Sequence, residues 1–177
     1  MAINMKSHTQ SINSNRHKKL VEAILLTLLG VLMYVSQVIM AALPNIEIVS
    51  LLIILTTRKF GYKAFVSVYI FVGCEILTYG LSMWVINYLY VWAILCVLIL
   101  IIRKIDGAAV YALIAAIYGL LFGTLCSVPY FIIGGIAGGI AYIIQGFLFD
   151  LFHCAGNFVL VLILYKPLTR VINKIIK

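Results

Sequence analysis

The sequence predicts an all-α, polytopic membrane protein with six transmembrane helices and both termini in the cytoplasm. Three observations support this: 65% of the 177 residues are hydrophobic, 10% are charged, and the cations lie in short clusters between long apolar runs. A soluble domain averages about 45–50% apolar and about 25% charged residues. The apolar excess is too large for the core of a soluble domain, so it indicates a lipid environment.

The apolar runs define the predicted spans, since a helix needs about 20 apolar residues to cross the hydrocarbon core. The six predicted spans are 20–43, 46–57, 64–81, 84–102, 108–128 and a sixth within 140–165. The second is short, which predicts that it is tilted, kinked or only partly inserted. A glycine-rich stretch precedes the sixth span. The chain therefore divides into a basic N-terminal tail (1–19), a six-helix membrane domain (20–166) and a basic C-terminal tail (167–177).

The cations predict the orientation of these spans. All 13 lysine and arginine residues lie in the N-terminal tail, in the links around 58–63 and 103–104, or after the sixth span. The opposite connections, near 42–46, 80–83 and 129–139, contain none. Because basic loops remain on the cytoplasmic side, both termini are predicted to lie there. The net charge of +8 thus encodes topology and does not indicate a nucleic-acid-binding surface.

Ionisable side chains at membrane depth need a reason, since each costs at least ~2.5 kcal/mol on insertion scales. They are Glu47, Glu75, Asp150 and His153. Helical spacing places Gly146, Asp150, His153 and Asn157 on one face directed into the bundle. Asp150 and His153 can hydrogen-bond each other at this spacing. The face is either an internal polar clamp or the floor of a ligand pocket, near which Gln145 is well placed, and both interpretations stay open.

Aromatic residues are concentrated at the outer end of the fourth span. Trp84, Asn87 and Tyr88 share one helical face there. Interfacial aromatic residues are commonly headgroup anchors, but Asn87 adds a hydrogen-bonding group that suits a stacked aromatic ligand. Tyr79 and Tyr130, at neighbouring outer ends, extend this surface.

Catalytic and ATP-binding motifs are absent from the sequence: it contains no P-loop, no HExxH and no paired-aspartate phosphotransfer motif. The four cysteines are widely spaced within apolar segments and do not have zinc-ligand spacing. We therefore predict a protein that is not an enzyme and has no cofactor or metal. If transport is active, its energy must come from a partner.

Three local stretches carry a family resemblance: residues 42–47 (Ala-Leu-Pro-Asn-Ile-Glu), 87–92 (Asn-Tyr-Leu-Tyr-Val-Trp) and 149–158 (Phe-Asp-Leu-Phe-His-Cys-Ala-Gly-Asn-Phe). With six short helices and a basic N-terminus, the chain resembles the S components of energy-coupling factor (ECF) vitamin transporters. The resemblance implies a vitamin-binding subunit of the cell membrane, partnered by a transmembrane coupling subunit and two cytoplasmic ATPases. It also implies a substrate site near the outer face. Finally, it implies a small-residue docking motif on the first helix, matched here by Ala23 and Thr27.

The charge pattern restricts the expected ligand. Because every lysine and arginine is predicted to be cytoplasmic, phosphate and dicarboxylate ligands are disfavoured in the outer half. Neutral or cationic heterocycles are favoured, such as pyridoxine-, hydroxymethylpyrimidine- or thiamine-like compounds, with cobalamin-related compounds left open. The predicted substrate-binding residues are Asn45, Glu47, Glu75, Tyr79, Trp84, Asn87, Tyr88, Tyr130, Gln145, Asp150 and His153.

Two other functions are compatible with the sequence. The first is a stand-alone small permease or channel that forms a homo-oligomer through the small residues Ala115, Gly119 and Gly123 of the fifth span. Internal helix packing is the more ordinary use of such a face. The second is a membrane enzyme or assembly factor that uses Asp150 and His153.

Overall fold

A computed structural model of the protein describes the backbone of residues 2–43 and 46–175, and side chains within those ranges from residue 15 onward. All regular secondary structure in these residues is helical, which confirms the all-α prediction. The α-helices are α1 (Ala2–Met40), α2 (Val49–Phe60), α3 (Ala64–Tyr79), α4 (Met83–Ile102), α5 (Ala108–Leu120), α6 (Phe122–Cys126) and α7 (Val128–Ile175). A 3-10 turn, Gly61–Lys63, joins α2 to α3.

Helices α1 and α3 pack side by side and run in the same direction. Lys63, just before α3, donates through its Nζ to Glu22 Oε2, midway along α1, at 2.6 Å. Near the ends of both helices, the hydroxyls of Tyr34 and Thr78 are 2.7 Å apart. Because α1 and α3 are parallel, the chain between them must run back along the bundle in the opposite direction, and α2 is the helix that does so.

Helices α5 and α7 pack closely and run in opposite directions. Gly119 lies against the backbone of His153, and a Cβ atom at Gly119 would be only 2.8 Å from the His153 carbonyl carbon. One turn further along α5–α6, Gly123 lies against Asp150. The small-residue face of the fifth predicted span is therefore used for packing within the chain.

Four helical stretches are long and apolar enough to cross a membrane: Asn15–Met40, Val49–Tyr79, Met83–Ile102 and Val128–Ile175. The shorter apolar helix Ala108–Leu120 accompanies them. This is compatible with a membrane-embedded protein, whereas the predicted count of six spans is not confirmed. The counts differ because the 3-10 turn joins the second and third predicted spans into one apolar stretch, and because the fifth is interrupted at Leu121.

Helix α7 begins before the glycine-rich stretch instead of after it. The stretch is helical except at Gly135, where φ is 63° and ψ is −163°. This conformation is essentially restricted to glycine, so Gly135 is where α7 kinks. The other end of α7 reaches Ile175, well past the predicted end of the sixth span.

Charged contacts are concentrated at one end of the bundle, which we call the basic end (residues 58–63 and 103–106). Arg58 Nη1 pairs with Asp106 Oδ1 at 3.0 Å. The same guanidinium lies 4.9 Å from the ring centroid of Tyr111 and 5.5 Å from that of Tyr165. These contacts join the end of α2 to α5, to α7 and to the link between α4 and α5.

Candidate functional site

A cavity of about 410 Å³ lies at the end of the bundle opposite the basic end. Its walls come from the last turns of α1, the segment before α2, the end of α3, the first half of α4, α6 and the middle of α7. This volume is within the range typical of small-molecule sites. The helices thus converge on one pocket at the end of the bundle that is poor in cations.

Six of the residues predicted from the sequence line this cavity: Glu47, Glu75, Tyr79, Trp84, Tyr88 and His153. They come from four separate segments of the chain. Asn45 lies outside the described residues. Ala23 and Thr27 are on α1, toward its other end, and both are exposed.

The other predicted residues, Asn87, Tyr130, Gln145 and Asp150, are not part of the cavity lining within the described ranges. Asn87 is buried and its Nδ2 donates to the carbonyl of Cys126 at 3.1 Å, which ties α4 to α6. Tyr130 stacks on Tyr142 with ring centroids 4.1 Å apart. Gln145 is exposed on α7. These side chains share a helix with lining residues but point elsewhere.

Asp150 has a structural partner. Its Oδ1 accepts a hydrogen bond from the backbone N–H of Gly123 at 2.9 Å. The first N–H groups of a helix have no partner within it, and α6 begins at Phe122. Asp150 on α7 therefore caps α6. Its expected hydrogen bond to His153 is not among those of the described residues.

His153 pairs with Glu47. His153 Nε2 lies 3.1 Å from Glu47 Oε1. The same carboxylate accepts from the backbone N–H of Ser50 at 2.9 Å and from its hydroxyl at 2.6 Å. An ionised carboxylate can only accept, so Nε2 carries the proton and donates. Glu47 thus caps the start of α2 and holds His153 in a fixed orientation at the cavity wall.

A ladder of aromatic rings forms one wall of the cavity. Trp84, Tyr88 and Trp92 follow each other at i, i+4 spacing on α4, which places them on one face. Ring centroids are 5.2 Å apart for Tyr79–Trp84 and 5.3 Å for both Trp84–Tyr88 and Tyr88–Trp92. All three pairs are edge-to-face, a favourable geometry for aromatic rings.

Several lining residues were not predicted from the sequence, including Gln37, Trp92, Phe122 and Phe149. Gln37 Nε2 donates to the hydroxyl of Tyr88 at 2.7 Å and so connects α1 to the aromatic wall. As a lone glutamine inside an apolar span, Gln37 could have been predicted from the sequence as a functional residue. Trp92 continues the spacing of Trp84 and Tyr88 and could have been found in the same way.

Unpartnered polar atoms collect at this cavity. Most buried polar atoms in folded proteins have a hydrogen-bond partner, so each exception needs an explanation. Both carboxylate oxygens of Glu75, Trp92 Nε1 and His153 Nδ1 are buried and have no partner among the residues that the structure describes. All three side chains line the cavity. The cavity therefore offers acceptors and a donor to a molecule that would fill it.

Comparison of the chain with protein-family models, characterised proteins and solved structures found no significant match. The local resemblance in 42–47, 87–92 and 149–158 remains an expectation. Each of these stretches contributes residues to the cavity lining: Glu47 from the first, Tyr88 and Trp92 from the second, and Phe149 and His153 from the third. Among the residues described, His, Cys, Asp and Glu side chains do not form a group of three or more able to hold a metal ion.

Proposed function

We propose that the chain is the membrane-embedded substrate-binding (S) subunit of an ECF-type importer. In this role it captures a vitamin or a related heterocyclic micronutrient at the outer face and delivers it through an ATPase-driven coupling subunit. The observation that carries the proposal is the cavity, because it concentrates unpartnered polar atoms from α3, α4 and α7 beside an aromatic wall. The contribution of all three family-like stretches to its lining supports the same function.

The proposed orientation follows from the separation of cavity and cations. With the basic end in the cytoplasm, as the positive-inside rule requires, the cavity opens toward the outer face of the cell membrane. A substrate-binding subunit needs its site on that side. Both termini then lie in the cytoplasm, where the two ATPase subunits act.

The first helix offers a surface for the coupling subunit. Ala23 and Thr27 are exposed on α1, while Leu26 and Met33 are buried on its inner side. The Thr27 hydroxyl donates to the carbonyl of Ala23 at 2.9 Å, so the polar group is satisfied within the helix. Two small, internally satisfied side chains one turn apart allow a second helix to approach closely.

The alternative functions gain no specific support. A homo-oligomeric permease built on Ala115, Gly119 and Gly123 needs that face to be free, but α7 already packs against Gly119 and Gly123. An enzyme that uses Asp150 needs a carboxylate available for chemistry, but Asp150 is engaged with the amide of Gly123.

Affinity purification of the tagged protein from its native membranes tests the proposal. We expect a transmembrane coupling subunit and two ATPase subunits to co-purify. A bulky side chain in Thr27→Trp should abolish this association by blocking close helix approach. Leu32→Trp is the matched control, because Leu32 is also exposed on α1 but is turned by about 140° from Thr27. Purification of the wild-type chain without ATPase subunits, or equal effects of both variants, would contradict the proposal.

A further inference from the structure

We propose that the cavity binds an aromatic organic cation and that Glu75 is its counter-ion. The inference rests on the proposed function, because it names the substrate class of that same site. It is based on the carboxyl group of Glu75, which is buried at the cavity wall and for which the described residues supply neither a hydrogen-bond donor nor a cation.

Glu75 is the acidic side chain of the cavity that has no partner among the described residues. Its side chain is 0% exposed, and neither carboxylate oxygen accepts a hydrogen bond from the residues described. A buried carboxylate is strongly unfavourable unless a cation or several donors compensate for it. Glu75 lines the cavity, so a ligand can provide that compensation.

The second acidic residue of the cavity does not share this property. Glu47 accepts hydrogen bonds from Ser50 and from His153, and so its charge is already compensated. None of the lining side chains in the described ranges is a lysine or an arginine. Among the described residues, no lining side chain can supply a positive charge to Glu75, which leaves this role to a ligand.

The aromatic wall is suited to the same charge. The faces of tryptophan and tyrosine rings carry negative electrostatic potential and attract cations within about 6 Å. Tyr79, Trp84, Tyr88 and Trp92 provide four such rings along one side of the cavity. A flat cationic ring can stack against this wall while its charge is directed toward Glu75.

Two further unpartnered atoms define the hydrogen-bonding groups of the ligand. Trp92 Nε1–H is a donor and requires an acceptor. His153 Nδ1 has no partner, and in the neutral tautomer whose Nε2–H is given to Glu47 it is an acceptor that requires a donor. An aromatic cation that carries both a hydrogen-bond acceptor and an N–H or O–H group has a complementary group for each of the three sites.

Contact between Glu75 and the ligand involves a local rearrangement. The carboxylate lines the cavity wall but has no solvent-accessible surface. The contact therefore requires a change of side-chain rotamer at Glu75 or at a neighbour. Binding should therefore order the side chains of this wall and raise the thermal stability of the protein.

The test compares ligands that differ mainly in charge. The purified full-length chain is titrated in lipid nanodiscs with 1-methylnicotinamide, nicotinamide and nicotinate, which share a ring and are cationic, neutral and anionic. Thiamine is included as a larger aromatic cation. The measurements are calorimetric affinity and the shift in melting temperature, for the wild type, for Glu75→Gln and for Glu22→Gln. Glu22 is the matched control, because it is a glutamate at the basic end that pairs with Lys63.

We expect a cation to bind the wild type more tightly than its neutral and anionic analogues. Glu75→Gln should weaken the affinity for the cation by about 10- to 100-fold, as expected for loss of a charge-assisted contact. It should leave the affinity for the neutral analogue unchanged. It should also raise or preserve the melting temperature of the unliganded protein, because a neutral amide is less costly to bury than an unpartnered carboxylate. Glu22→Gln should leave the preference for cations intact.

Four results of this titration would overturn the inference. They are absence of cation binding up to millimolar concentration, preference for the neutral or anionic analogue, an unchanged preference in Glu75→Gln, and failure of Glu75→Gln to fold. Failure to fold counts because it would mean that the carboxylate is needed for folding in the absence of ligand. A residue that serves only as the counter-ion of a ligand is not needed for folding. Tight binding of a carboxylate vitamin would refute the inference and leave the proposed function standing. Cation binding without co-purifying ATPase subunits would refute the function alone.

Discussion

Asp150 and Glu75 are both buried carboxylates in apolar helices, but their surroundings give them different roles. Asp150 accepts a hydrogen bond from Gly123 at the start of α6. Glu75 has no partner among the described side and main chains. A paired carboxylate stabilises the fold, whereas an unpaired one weakens it unless a ligand compensates for the charge. The chain therefore uses the same chemical group for structure on α7 and, we propose, for binding on α3.

Asp150→Ala should destabilise the protein. It leaves the N–H of Gly123 buried without an acceptor, which costs about 1–3 kcal/mol of the free energy of unfolding. Glu22→Ala is the matched control, because among the described residues its carboxylate contacts Lys63 alone, and the two side chains are 30% and 41% exposed. Exposed pairs contribute about 0–1 kcal/mol. Denaturant unfolding in detergent, followed by circular dichroism, compares the two; equal losses would refute the capping role of Asp150.

At the scale of elements, the kink of α7 depends on a single residue. Gly134 and Gly135 are adjacent, and a Cβ atom on either would meet no atom within 4 Å. Only Gly135 has a positive φ, of 63°, in a region that other residues rarely adopt. The two positions therefore differ in backbone conformation and not in available space, which makes them a matched pair.

Gly135→Ala and Gly134→Ala should have effects of opposite sign. Alanine at position 135 must adopt a strained conformation, so the free energy of unfolding should fall by about 1–3 kcal/mol. Alanine at position 134 lies in regular helix and should raise it by about 0.5–1 kcal/mol. Melting temperatures of the two variants in the same detergent provide the measurement. A stabilising effect at both positions would show that α7 can form without the kink.

The sequence predicts some of these elements and not others, for physical reasons. Hydropathy located the apolar helices because transfer into lipid depends on composition alone. Next to the interruption at Leu121, the amide of Gly123 is capped by Asp150, which is 27 positions along the chain, and no local sequence pattern predicts such a contact. Helical spacing found Trp84 and Tyr88 at the cavity. It also named Asn87, whose side chain donates to a carbonyl on α6 and is outside the lining of the described cavity.

At the scale of the whole molecule, the bundle has two chemically different ends. The cavity end combines aromatic rings with acidic side chains, and the basic end holds Arg58, Lys63 and their partners. Helix α4 connects the two, and its 20 residues correspond to a length of about 30 Å, close to the thickness of the hydrocarbon core. The links on either side of α4 should therefore lie on opposite faces of the membrane.

Single-cysteine labelling tests this orientation. In a variant with all four native cysteines replaced by alanine, we introduce Leu81→Cys in the link before α4 or Ile105→Cys in the link after it. Both native side chains are apolar and exposed, at 70% and 48%, and both substitutions keep every basic residue in place. If the basic end is cytoplasmic, a membrane-impermeant maleimide should label the thiol at position 81 on intact cells. The thiol at position 105 should react only after the cells are permeabilised. The reverse pattern would invert the topology, and labelling of both from outside would mean that α4 does not span the membrane.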